Sequence, residues 1–154
     1  MASIGGAVAG LIVVNTPASL WRPLTVSAPS VRLAGVVLLV VATAGALWAR
    51  LALGTMWSAA VVIKERHALR TGGPYRLTRH PIYTGILGMV AATALTQGIG
   101  RWAALFVVVA LVLLMKSRAE ERLLSEEFAE EYERYRQHVP RLIPGLRRRR
   151  AEQS

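Results

Sequence analysis

The sequence predicts an all-α integral membrane protein, with about four transmembrane helices and a C-terminal amphipathic helix on the cytoplasmic side. Three observations predict it. Hydrophobic residues make up 53% of the chain and collect in long runs, the composition of a chain dissolved by a bilayer rather than by water. A glycine turn folds two of those runs back on each other. Basic residues then fall almost entirely on one side of the resulting topology.

Taken in order, residues 4–14 are small and apolar. They fall short of the roughly 20 residues a span needs, so the first span is read as continuing through a kink at Pro17, over residues 4–20. The stretch resembles the apolar region of a signal peptide, but it lacks a basic leading region and a clean small-residue cleavage site, and is read as a mature helix. Pro23 and Pro29, with Thr25 and Ser27 between them, mark a loop, and Trp21 suits an interface anchor. The clearest span covers 31–53, charged only near its ends at Arg32 and Arg50. Gly35, Ala42, Gly45 and Ala49 form a small-residue stripe along it, which lets a second helix approach closely. Gly54 ends it. Residues 55–63 (TMWSAAVVI) are too short for a span and stay open between helix, interfacial segment and extended chain.

A polar segment follows over 64–80, and its core, Arg70 to Gly85, reads RTGGPYRLTRHPIYTG. Pro74 and Pro81 stiffen it, Gly72 and Gly73 loosen it, and arginines, a histidine and tyrosines load it with donors. A plain connector needs none of this, so the segment is read as half of a functional site. Spans over 81–97 and 101–117 are joined by the glycine turn QGIGR and form a helical hairpin, each arm somewhat short for a crossing. From residue 118 to 146 the character changes. Leu123, Leu124, Phe128, Tyr132 and Tyr135 share one face of an amphipathic helix, with glutamates and arginines around the rest. Pro140 stops the helix, and Arg147 to Arg150 head a basic tail over 147–154. The whole chain, 1–154, is read as a single membrane domain.

Only Arg22, Arg32 and Arg101 fall on the outer side of this topology. The polar motif, the tail and both termini are therefore assigned to the cytoplasm of a bacterial inner membrane. The net charge of +10 points to anionic lipid headgroups, with the basic tail as their main contact, rather than to nucleic acid. The absence of cysteine excludes disulfides, thiolate nucleophiles and cysteine-ligated metals. The three histidines, His67, His80 and His138, are scattered, and no metal site is expected. Oligomeric state is not legible.

A hairpin returns the chain to the side it left. Pro81 enters it and Lys116 leaves it, so Glu120 and Glu121 belong at the same membrane face as the Arg70–Gly85 motif. The acidic pair and the aromatic face of the terminal helix are the expected other half of the site.

GGPYRLTRHPIYTG, followed one hairpin later by AEERLLSEEFAEEYERYRQHVPRLIP, resembles the isoprenylcysteine carboxyl methyltransferase family and related phospholipid methyltransferases. The likeness covers roughly residues 53–146. One departure is Ala129, where members often have glycine; another is a short first half without the extra spans of longer relatives. The resemblance implies an S-adenosylmethionine-dependent methyltransferase, its cofactor at the cytoplasmic face under the C-terminal segment, its lipophilic acceptor entering from the bilayer. The residues suit that chemistry. Arg79 and His80 offer donors for the cofactor carboxylate, and Glu120 or Glu121 can accept from the amino group or the ribose hydroxyls. Tyr75, Tyr83, Tyr132 and Tyr135 offer faces to adenine or the sulfonium. Gly73 and Gly85, beside Pro74 and Pro81, leave room for backbone approach. The expected catalytic residues are Arg79, His80 and Glu120.

Duller readings compete. Arg79 and His80 also read as positive-inside anchors before a helix-starting proline, and Tyr132 and Tyr135 as interface anchors. Glu126, Glu127, Glu130, Glu131 and Glu133 are read as a solvated face. Sterol-type NADPH-dependent reductases share a similar arginine-histidine-proline motif, but are typically longer and often carry a late cysteine absent here. A non-catalytic adaptor leaves the clustering of donors and acceptors at one face unexplained.

Overall fold

The computed structural model describes residues 10–11, 15–17, 19–21, 28–54 and 69–145. Most of the expected first span, the open stretch 55–63, the motif loop as far as residue 68 with His67, and the basic tail lie outside them. The described residues are helical, with no strand among them.

Helix α1 runs Pro29–Leu53, α2 Pro81–Gln97 and α3 Ile99–His138, with a short 3₁₀ turn, Gly73–Arg76, ahead of α2. Prolines start both α1 and α2 at the first turn, where the missing N–H is no loss and the fixed φ is already helical. Gly54 closes α1 at φ 55°, its N–H bonded to the Leu51 carbonyl. Gly98, at φ 94°, ends α2 and precedes α3, and Gly100 also departs from helical geometry (φ 9°, ψ −119°), so the predicted glycine turn occupies residues 98–100. Helices α1 and α3 are long and apolar enough to cross a membrane. At 17 residues, α2 spans about 25 Å.

The small-residue stripe is buried at three of its four positions. Gly35, Ala42 and Ala49 are the buried residues of α1, one every second turn, and Gly35 and Ala42 meet α2 running antiparallel. A Cβ on Gly85 would come within 2.7 Å of Ala46 Cβ and 3.0 Å of the Ala42 carbonyl, and one on Gly88 within 2.7 Å of Ala42 Cβ. Helix backbones this close gain dispersion along their length without needing large side chains. Gly45 lies off the contact, with nothing within 4 Å of its would-be Cβ. The outer face of α1 leaves Leu33, Val37, Val40, Leu47 and Leu51 exposed, as a lipid-facing surface requires.

The second arm and the C-terminal segment differ from the reading. Where the sequence predicts a span ending at 117 and a separate helix after it, one helix continues from Ile99 to His138, interrupted at Ala129 (φ 32°, ψ −108°). Nothing at Lys116 breaks the backbone, because SRAEER is made of sound helix formers; the change there is in polarity alone. The bend at Ala129 turns the last part of α3 back toward the start of α2. Beyond it, residues 139–145 form an irregular strap that crosses the same place.

Candidate functional site

Pro81 organises the site. By starting α2 it leaves Arg79 and His80 just outside the helix, where their backbone N–H groups have no partner within it. The strap supplies the acceptors. Arg79 N–H donates to the Pro140 carbonyl at 2.9 Å and His80 N–H to the Arg141 carbonyl at 3.1 Å, and the Thr84 hydroxyl donates to the Leu142 carbonyl at 2.6 Å.

The carboxylates come from α3. Buried His80 lies between them, Nε2 at 3.2 Å from Glu121 Oε1 and Nδ1 at 3.4 Å from Glu120 Oε2. Both ring nitrogens face carboxylate oxygens, the pattern of a doubly protonated imidazolium. Burial works against that charge, but the hydrogen bonds to Glu120 and Glu121 outweigh it, so the His80 pKa is raised.

Glu121 is the most heavily contacted group. Arg79 Nη2 lies 3.2 Å from it, and Arg141 grips it through Nε at 2.9 Å and Nη2 at 2.5 Å, the bidentate fork that favours arginine over lysine. Burial pushes this carboxyl up, yet the bonds from His80 and Arg141 and the charge of Arg79 hold it at about 2. Glu120 accepts from the Tyr83 hydroxyl at 2.5 Å. Burial raises its pKa, and the bonds from His80 and Tyr83 lower it to a net depression. The Tyr83 ring stacks on His80 with centroids 5.4 Å apart, and the Lys116 ammonium stands 5.6 Å from its centroid.

Tyr132 is buried and meets Tyr135 edge-on at 6.1 Å. The Tyr135 hydroxyl donates to the Tyr75 carbonyl at 2.6 Å, which ties the bent end of α3 to the 3₁₀ turn. Burial, then the Glu120 charge, push the Tyr75 phenol up to about 12.

Two features show what the arrangement can accept. Arg79, His80 and Arg141 face only Glu120 and Glu121 within the cluster, a surplus of one positive charge suited to an anionic group. Arg79 Nε and the Tyr132 hydroxyl are buried without a hydrogen-bond partner among the described residues. Polar atoms in that state cost about 1–3 kcal/mol each unless a ligand or water meets them. A zwitterionic amino-acid group fits this set, with donors for its carboxylate and Glu120 for its ammonium.

Of the residues singled out in the sequence, the fold brings together Tyr75, Arg79, His80, Tyr83, Glu120, Glu121, Tyr132 and Tyr135. Pro74 and Pro81 are buried as their supports. Gly73 is exposed at φ 59°, its would-be Cβ 3.9 Å from the Trp48 ring. Gly85 faces α1, so the backbone approach it permits is that of one helix to another. Sequence reasoning missed Arg141 and Thr84. The available signal for Arg141 was a single arginine set between Pro140 and the apolar Leu142 and Ile143.

The profile of the isoprenylcysteine carboxyl methyltransferase (ICMT) family matches residues 35–126. The chain is 33% identical over 115 residues to the cobalt-zinc-cadmium resistance protein CzcN of Cupriavidus metallidurans, an alignment covering 73% of this chain and 53% of that one. It is 32% identical over 145 residues to the nickel-cobalt-cadmium resistance protein NccN of Alcaligenes xylosoxydans xylosoxydans, covering 94% and 63%. Methanethiol S-methyltransferase 1 of Bradyrhizobium diazoefficiens is 39% identical over 74 residues, 47% of this chain and 25% of that one. The chain spans less than two thirds of the length of each of these relatives. Because the profile match covers more than half of the residues and takes in Arg79, His80, Tyr83, Glu120 and Glu121, the chain belongs to the isoprenylcysteine carboxyl methyltransferase family.

Proposed function

We propose that the protein is a membrane methyltransferase that takes its methyl group from S-adenosylmethionine and transfers it to a lipophilic acceptor at the cytoplasmic face. The observation that carries this reading is the cluster of Arg79 and His80 against Glu120 and Glu121, assembled across the hairpin in a chain of this family. Arg79 and His80 hold the cofactor carboxylate, Glu120 its ammonium or ribose, and the tyrosine faces its cationic or aromatic parts. When bound, S-adenosylmethionine supplies an electrophilic methyl group on a sulfonium centre.

The chain's own task is then alignment and exclusion of water. Strap residues 139–145 close over Arg79 and His80, and the Arg141–Glu121 pair fixes the carboxylate face against which the ligand is held. His80, with a carboxylate oxygen against each ring nitrogen, is placed as a donor. A carboxylate or thiolate acceptor needs no base. An amine or hydroxyl acceptor must lose a proton, and Glu120, which is 23% exposed against 6% for Glu121, is the group placed to receive it. A four-span topology in the bacterial inner membrane, with both termini cytoplasmic, is part of the same proposal, supported by the distribution of basic residues.

Binding of labelled S-adenosylmethionine to purified protein in detergent, in competition with NADPH, tests the reading. Saturable binding that NADPH does not displace, lost in Glu120→Ala and His80→Ala proteins of native helicity, is expected. Folded protein that binds no S-adenosylmethionine, or binds NADPH instead, overturns it. A transfer assay offering prenylcysteine, phosphatidylethanolamine and methanethiol then separates acceptors. The thiol is included because two relatives are named for its methylation.

A further inference from the structure

A second polar feature lies beside the cluster and is not used by it. A cleft of about 400 Å³ opens between α3 and the strap, lined by Arg118, Arg122, Arg136 and Arg141 together with Glu121 and Glu126. Arg118 and Arg136 are 18 positions apart, about 27 Å along a straight helix. They line one cleft because α3 breaks at Ala129 and turns back. Glu121 is engaged by Arg79, His80 and Arg141, and Arg136 pairs with Glu133 at 2.8 Å. Arg118 and Arg122 are exposed and have neither an ion pair nor a hydrogen bond among the described residues.

These two arginines continue a line. Val107, Leu111 and Met115 are 55%, 56% and 53% exposed, and with Arg118 and Arg122 they are spaced four, four, three and four apart, one stripe on the helix. The stripe is apolar up to Met115 and cationic beyond it. With the apolar arm in hydrocarbon, Arg118 stands about 5 Å and Arg122 about 10 Å past Met115. Arg118 thus falls within the headgroup layer and Arg122 just beyond it, from where its long side chain reaches back. An exposed apolar helix face that leads to a cationic cleft has the polarity of one amphiphile.

We propose that this stripe and cleft form a phospholipid-binding site, acyl chain along Val107, Leu111 and Met115, phosphate held by Arg118 and Arg122. Arg136 and Arg141 add positive potential at the back of the cleft. The site is proposed from described residues alone and does not depend on the methyltransferase reading. Its occupant would cover the open side of Glu121 and so link the lipid around the protein to the cluster.

Native mass spectrometry of the detergent-purified full chain, titrated with phosphatidylglycerol, diacylglycerol or soluble glycerol phosphate, tests it. One retained phosphatidylglycerol, preferred about tenfold over diacylglycerol, is expected for the wild type. Arg118→Gln/Arg122→Gln should bring the two lipids to parity and Arg118→Lys/Arg122→Lys should retain most of the preference, with unfolding midpoints measured on the same samples. Replacing Arg147, Arg148, Arg149 and Arg150 by glutamine should leave it intact. Undiminished preference in the double glutamine protein, or its loss in the tail variant alone, overturns the proposal. So does displacement of the lipid by equimolar glycerol phosphate, which would make the cleft a soluble-phosphate site.

Discussion

Glu121 sits where three cations meet, and its removal would leave all three facing one another. Glu121→Gln keeps the shape but withdraws the charge from Arg79, His80 and Arg141. Breaking a buried charged network in this way costs about 3–5 kcal/mol, so a marked fall in the thermal midpoint of the purified protein is expected, larger than for Glu126→Gln on the exposed face. The same contacts give stability a two-sided pH dependence. Glu121 titrates at about 2 in the fold against an ordinary 4.5, so its contribution is complete above 4.5 and disappears as the pH falls toward 2. His80 moves the other way from its ordinary 6.5. Its contribution is complete below 6.5 and disappears as the pH rises through the raised value. A midpoint-against-pH curve should therefore peak between about 4.5 and 6.5, and His80→Gln should flatten its alkaline limb. An unchanged alkaline limb in that variant would remove His80 as its source.

Helix contact is where the glycines matter. Gly85→Ala and Gly88→Ala each place a methyl 2.7 Å from an α1 side chain, whereas Gly45→Ala meets nothing. The first two should cost about 1–3 kcal/mol through overpacking, and the third should be neutral or slightly stabilising through helix propensity. Unfolding in detergent of the three proteins side by side checks the contrast. Ala129 poses the reverse case. It occupies φ 32°, ψ −108°, a region that suits glycine and strains any residue with a Cβ. Ala129→Gly should therefore raise stability by about 1 kcal/mol, even though glycine inside a helix ordinarily lowers it. A lowered midpoint would mean that the bend is not strained.

For the molecule as a whole, the strap ties the start of α2 to Glu121 of α3. A chain stopped after Val139 loses the backbone bonds to Arg79 and His80, the Thr84 bond and the Arg141 fork together. Circular dichroism should find most helicity retained while binding of labelled S-adenosylmethionine disappears; retained binding would place the strap outside the site. Much of this arrangement was legible in the chain. Apolar runs, helix-starting prolines and the glycine turn are local signals, each set by the preference of a few neighbouring residues for lipid or for one backbone conformation. They sufficed for the all-helical class, for the hairpin, and for the return of Glu120 and Glu121 to the face that carries Arg79 and His80. Long-range pairings have no such local signature. Nothing in SRAEER or FAEEY announces that one helix continues through them and then breaks at Ala129, and nothing in VPRLIP announces that Arg141 will reach back to Glu121. The sequence by itself determined the helical class of the described residues, the hairpin, and which of its ends is polar. Only the tertiary structure decided that the bend and the strap close over that end, because those contacts join residues as far apart as Arg79 and Pro140 and exist only once the helices have packed.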